Sequence, residues 1–196
     1  MTEKKLEELV ADIDRETGHP VTGSGKTVPL LGKTGDYGRN QYIRFFLEDI
    51  LLAIPISGAL EISHRPPVTP LPNLPDWVMG VSNIRGEIIS VVDMKTFFGL
   101  ASQESKGHQP VSKMLIIVRD KEMKVGMIVG RIMGIFSPDR MNAEIIRENP
   151  YREGEIASYI SGVMVPKGKQ DEVLMNILDI DRLLASPKMN AFRIEN

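Results

Sequence analysis

From Gln41 onward the chain is a series of short apolar runs broken by turn residues. Tyr42-Ile43-Arg44-Phe45-Phe46-Leu47 reads as a strand, and Glu48-Asp49 turns it back into Leu51-Leu52-Ala53-Ile54-Pro55-Ile56, which makes a hairpin. Pro55 brings no N–H to a ladder, so its position is expected at an edge or a bulge. Leu60-Glu61-Ile62-Ser63 follows as a third strand. A proline-studded loop then runs through Pro66, Pro67, Pro70, Pro72 and Pro75. Asp76-Trp77-Val78 suggests a single helical turn, and Val81 to Met94 holds two apolar strands hinged at Arg85-Gly86.

The second half repeats the first. Met114 to Asp120 stands where Ile43 to Asp49 stood, Lys124 to Val129 echoes Leu51 to Ile56, and Ile132 to Ile135 echoes Leu60 to Ser63. Ile160-Ser161-Gly162-Val163 parallels Val78-Met79-Gly80-Val81, and Ile177 to Leu184 parallels Val91 to Phe98. In both copies an apolar strand ends at an aspartate, Asp93 or Asp179, placed to cap a short helix. A twofold repeat of about eighty residues, each with some five short strands, implies an all-β fold of two small barrels side by side. The expected boundaries are 41–100 for one barrel and 111–187 for the other, with a C-terminal tail over 188–196. Each barrel is near the lower size limit for independent stability, so the two should share a packed seam.

Upstream the texture differs. Leu6, Leu9, Val10 and Ile13 lie at i, i+3, i+4, i+7, one apolar face of a short amphipathic helix over 3–16. Residues 17–40 are rich in Gly, Thr, Lys and Pro and read as a flexible tether, so 1–40 form an extension to the barrels.

With 42% hydrophobic and 26% charged residues in 196, the composition is that of a globular chain with a real core. A net charge of −2 and the lack of a basic stripe argue against a nucleic-acid partner. No cysteine is present, which excludes disulfides, thiolate metal sites and a cysteine nucleophile. The first twenty residues lack a signal-peptide core, and no stretch approaches the ~20 apolar residues of a membrane span. The expected location is cytoplasmic, with no direct membrane insertion.

Catalytic motifs are weak. Gly23-Ser24-Gly25-Lys26-Thr27 resembles the end of a phosphate-binding loop, but Pro20 stands where the first glycine belongs and no strand precedes it. His19, His64 and His108 have no metal-ligand spacing. No GxSxG elbow occurs. The expectation is a non-enzyme without metal or cofactor. The competing reading is a nucleotide-binding or hydrolytic enzyme using the Gly23 to Thr27 loop.

The informative segment is Thr69 to Met94. Its Pro-Asn-Leu-Pro-Asp-Trp loop leads into Gly80-Val81-Ser82-Asn83-Ile84-Arg85-Gly86, then an apolar strand and Asp93. With Leu60-Glu61-Ile62 upstream, this resembles the CheW family of chemotaxis coupling proteins over residues 41–187. Ile84, Ser90 and Gly130 depart from the usual residues of that pattern. The resemblance implies two intertwined five-stranded SH3-like barrels without catalysis or cofactor. It further implies an adaptor with two partners, the regulatory domain of a CheA-like histidine kinase and the cytoplasmic tip of a chemoreceptor, held at the inner face of the membrane through receptor arrays. On this resemblance Arg85 faces the receptor and pairs with Glu61, and Ile56, Val81, Asn83 and Ile88 match positions near the receptor groove. Lys124, Gly130 and Arg131 are the kinase-docking candidates.

Overall fold

The computed structural model describes the backbone of residues 28–29 and the segments 41–100, 114–119, 123–139, 143–147, 153–166 and 174–191. The expected helix over 3–16, most of the tether, and the Gly23 to Thr27 loop lie outside these residues. In the first half the strands are β1 (Val28–Pro29), β2 (Tyr42–Leu47), β3 (Ile50–Pro55), β4 (Ala59–His64), β5 (Val78–Ile84) and β6 (Glu87–Asp93). Those of the second half are β7 (Met114–Arg119), β8 (Lys124–Val129), β9 (Ile132–Phe136), β10 (Ala143–Ile146), β11 (Ile160–Pro166) and β12 (Met175–Leu178). Helices α1 (Met94–Phe97), α2 (Ile180–Leu184) and α3 (Pro187–Asn190) are each one turn or slightly more.

Runs such as Met114-Leu115-Ile116-Ile117-Val118 are apolar at every position because their strands are buried on both faces. Met114, Ile116 and Val118 of β7 enter the large shared core, while Leu115 and Ile117 enter a second cluster with Ile89, Val91 and Ile128. In the same way Ile43, Phe45 and Leu47 of β2 enter the shared core, and Tyr42 and Phe46 turn to a third cluster with Leu51, Ala53, Phe136 and Met164. The hairpins β2–β3 and β7–β8 therefore need the middle of a sheet.

They reach it by changing places. One sheet has the order β1-β4-β7-β8-β6-β5 and the other β10-β11-β12-β3-β2-β9. The second-half hairpin β7–β8 is flanked by first-half strands, and the first-half hairpin β2–β3 by second-half strands. The expected boundaries, 41–100 and 111–187, thus divide the sequence but not the sheets. Five strands of each sheet correspond in order, with β1 and β10 added at the edges. The exchange leaves four seams between the halves: β4–β7 and β2–β9 are antiparallel, and β6–β8 and β3–β12 are parallel within otherwise antiparallel sheets. The repeat extends to the irregularities. An extra residue interrupts the ladder at Leu60 in β4 and at Met133 in β9, and again at Met79 in β5 and Ser161 in β11.

Three local expectations are revised. Pro55 lies in a central strand, but it is the last residue of β3 and stands past the Leu52–Ala53 ladder to β12, so its missing N–H disrupts nothing. Asp76-Trp77-Val78 forms a turn, closed by Val78 N–H to the Pro75 carbonyl, rather than a helix. The tail does not begin at 188, because Ser186 Oγ accepts from Met189 N–H and Met189 is buried in the shared core, which fixes α3 against the domain.

Both aspartate caps form. Asp93 Oδ1 accepts from the N–H of Lys95 at 2.9 Å and of Thr96 at 3.4 Å, and Asp179 Oδ1 accepts from Arg182 N–H at 2.9 Å. Their own N–H groups donate to the Trp77 and Tyr159 carbonyls, at 2.8 Å in each case. Asp93→Ala should cost about 1 kcal/mol of stability in urea unfolding, the usual cost of losing an N-cap, and Asp179→Ala a similar amount. Unchanged stability in both variants would show that the caps do not hold the helices.

Candidate partner-binding site

The β5–β6 hairpin closes on Arg85-Gly86, both at positive φ (54° and 87°), the backbone of a two-residue type I′ turn. Glycine adopts this freely. Arg85 is held there by its neighbours, since Asn83 Oδ1 accepts from Gly86 N–H at 2.9 Å. The turn carries the Arg85 guanidinium to Glu61 on β4, with Nη2 to Oε2 at 3.4 Å. Between β4 and β6 lie β7 and β8, so a flat sheet would separate them by three strand spacings, or ~14 Å. The ion pair therefore shows that this sheet curls until its two sides meet, as an SH3-like barrel does.

The pair is unequal. Arg85 exposes 55% of its side chain and Glu61 only 8%. Glu61 Oε1 is buried without a hydrogen-bond partner. Burial pushes the Glu61 carboxyl above its ordinary value, and the Arg85 charge pulls only partly the other way.

Around the pair, Asn83 lies directly across from Ile88, and Val81 across from Ser90. Ile88 is 51% exposed, unusual for an isoleucine, and Val81 is half-buried. The Pro-rich loop is tied alongside by Ser82 Oγ donating to the Pro67 carbonyl at 2.8 Å and by the Thr69–Val81 bridge. Five of the six receptor candidates thus share one end of the curled sheet. Ile56 lies just before β4, whose first residue Ala59 is in line with Val118, Val125 and Ser90. It begins the 3-10 crossover Ile56–Gly58 between β3 and β4 and packs on the shared core.

The kinase candidates do not assemble. Lys124 Nζ pairs with Glu87 Oε2 at 2.5 Å, which places it beside the Arg85 turn and Ile88. Gly130 and Arg131 lie at the other end of β8, in the crossover to β9. Gly130 N–H donates to the Phe46 carbonyl at 2.9 Å, and a Cβ at Gly130 would stand 2.4 Å from that oxygen. Close backbone approach accounts for this glycine. Arg131 is exposed, with its guanidinium 5.3 Å from the centre of the Phe46 ring.

Sequence reasoning missed two other exposed apolar side chains, Leu174 just before β12 and Ile146 on β10 (48% and 45% exposed). A signal existed, since Leu174 precedes Asp179 by five residues, as Ile88 precedes Asp93. Among the described residues no group of His, Asp or Glu is arranged to hold a metal ion.

Comparison with known proteins places this geometry. The family model for the CheW-like domain matches residues 41–188. The "Chemotaxis protein CheW" of Thermotoga maritima is 26% identical over 144 residues, 74% of this chain and 87% of that protein. "Protein FrzA" of Myxococcus xanthus is 26% identical, covering 77% of this chain and 89% of its own length. "Protein PilI" of Pseudomonas aeruginosa is 25% identical, covering 80% and 81%. Among solved structures, the scaffolding protein TtCheW from Thermoanaerobacter tengcongensis superposes with a TM-score of 0.60 at 22% identity, over 76% of this chain and 94% of that one.

The raised Glu61 carboxyl has a consequence for stability. A carboxyl raised by folding favours the folded state when protonated, so its contribution is full below the ordinary value of 4.5 and is lost as pH rises through the folded value. Glu61→Gln stays neutral throughout. The stability of this variant relative to the parent should therefore be greater at pH 7 than at pH 4, in urea unfolding at both. A difference that moves the opposite way would mean that Arg85, not burial, governs Glu61.

Proposed function

Because the chain belongs to the CheW-like domain family, we propose that it is a chemotaxis-type adaptor that couples a CheA-like histidine kinase to the cytoplasmic tip of chemoreceptors. The family is one of scaffold proteins, and none of the matched relatives supports the enzyme reading of the Gly23 to Thr27 loop. No helix among the described residues is long and apolar enough to cross a membrane, and attachment to its inner face would come through the receptor.

One observation carries the receptor-facing half of this reading. Arg85 stands half-exposed on a tight turn, anchored by a buried carboxylate and flanked by an exposed isoleucine. An arginine held in place beside an apolar side chain has the makings of an interface hot spot, since little conformational freedom remains to be lost on binding. We assign Val81, Asn83, Arg85 and Ile88 to receptor contact, Glu61 to holding Arg85, and Ile56 to the core beneath. Lys124, beside Glu87, belongs with the same surface. For the kinase we retain Arg131 as the exposed group of the β8–β9 crossover, with Gly130 shaping the backbone under it.

Arg85→Glu and Ile88→Asp should each weaken binding of a receptor tip fragment by roughly 30-fold or more, the scale of a hot spot. Thermal stability should change little in Ile88→Asp, whose side chain is exposed, and should fall in Arg85→Glu, which leaves the buried Glu61 carboxyl without its partner. Reversing the pair (Glu61→Arg with Arg85→Glu) should not restore binding, since position 61 is buried and an arginine there must be desolvated. Parental affinity in Arg85→Glu would place the receptor site elsewhere.

A further inference from the structure

An ionised carboxylate can accept about four hydrogen bonds, and burying one that is short of partners is costly. Glu61 is short of them. Its Oε2 has the Arg85 guanidinium at 3.4 Å, its Oε1 is buried without a hydrogen-bond partner, and only 8% of the side chain meets solvent. The neighbouring strands bring no relief. In register with Glu61 stand Ile117 on β7 and Pro29 on β1, neither with a polar side chain.

The charged groups of the surrounding elements leave Arg85 as the counter-charge. On β4 itself, His64 stands across from Met114 of the shared core, whereas Glu61 stands across from Ile117 of the second cluster. Arg65 follows His64 beyond the end of the strand. Arg119, two residues past Ile117 on β7, is exposed. Glu87 on β6 and Lys124 on β8 pair with each other. Strand β1 carries no charge. Of all these groups only Arg85 pulls the Glu61 carboxyl down, against the burial that raises it.

Arg85 depends on Glu61 in turn. It stands on a tight turn with 55% of its side chain exposed, so water competes for the guanidinium. A proton on Glu61 turns a charge-assisted contact into a neutral one, about half as strong. The balance then moves toward water.

We propose that Glu61 and Arg85 form a proton-sensitive latch: ionised Glu61 holds the guanidinium in place for receptor contact, and protonated Glu61 releases it to solvent, so that acidification weakens coupling at this surface. By linkage, receptor binding favours the ionised form and lowers the pH at which Glu61 takes its proton. The binding part rests on the receptor reading of the Glu61–Arg85 surface. The latch itself does not.

The test uses the full chain and its Glu61→Gln variant, which stays neutral at every pH. NMR of the Glu61 carboxyl carbon and the Arg85 Nε–H reports the latch in the free protein, and titration with a receptor tip fragment reports coupling. In the parent, the Arg85 signal should shift with the same midpoint as the Glu61 carboxyl, above the ordinary value of 4.5. Glu61→Gln should lack that step. At pH 7 the parent should bind the fragment about fivefold more tightly than the variant, the scale of exchanging a charge-assisted hydrogen bond for a neutral one. At pH 4 that ratio should fall to about twofold or less, with Glu61 mostly protonated. Taking the ratio removes the fragment's own titration. An Arg85 signal that does not follow Glu61 overturns the proposal, and so does a ratio that is the same at both pH values. If neither protein binds the fragment at pH 7, the receptor reading fails, and the two NMR midpoints decide the latch.

Discussion

Two hairpins that are apolar on both faces can be buried only in the middle of a sheet, and the rest of the molecule follows from where they go. Neither β2–β3 nor β7–β8 finds a place among the strands of its own half; each is inserted into the other's. Of the four seams this makes, β4–β7 and β2–β9 are antiparallel, while β6–β8 and β3–β12 are the parallel pairings of the two sheets. The crossovers that return the chain to its own sheet are short, namely the 3-10 turn at Ile56–Gly58 and the Gly130-Arg131 link pressed onto the Phe46 carbonyl. Buried Asn176 adds a polar stitch to one seam, its Nδ2 donating to the Leu51 carbonyl at 3.3 Å.

The exchange makes the candidate site depend on the whole chain. Glu61 and Arg85 both come from the first half, yet β4 and β6 are joined only through β7 and β8 of the second. Curling of that sheet brings Arg85 onto Glu61, across the second-half hairpin that lies between β4 and β6. Aromatic packing ties the halves again, with Phe97 and Phe98 5.9 and 5.7 Å from Tyr159, and Trp77 edge-on to Phe97 at 5.0 Å. For a protein of this scaffold family, this coupling bears on the proposed adaptor role. It holds surfaces on either sheet in a fixed relation, as the proposed adaptor with two partners would require.

Much of this was legible in the sequence. Strand runs, turn residues and the two capping aspartates lie in the chain at matching intervals, and the resemblance to the CheW family implied the Glu61–Arg85 pair. The exchange was not legible from the pattern. A run such as Leu51-Leu52-Ala53-Ile54 says that both faces are buried but not against which half, because the repeat makes the two choices look alike. Local reading also could not separate Glu61 from Arg85 in exposure, since that depends on how far the sheet curls. Gly130 and Lys124 were grouped as members of the second barrel, whereas a six-residue strand places them at opposite ends of β8. The Val28-Pro29 pairing gave no signal, since two residues are too few to show a period.

The most direct test of the interleaved architecture is equilibrium urea unfolding followed at once by Trp77 emission and by resolved amide signals from β5 and β11, which belong to different sheets. Trp77 is the chain's only tryptophan and lies in the shared core. The account predicts one transition with a single midpoint for all three probes, as two-state unfolding requires. Separate midpoints for β5 and β11 would mean that the sheets unfold independently, and would contradict it.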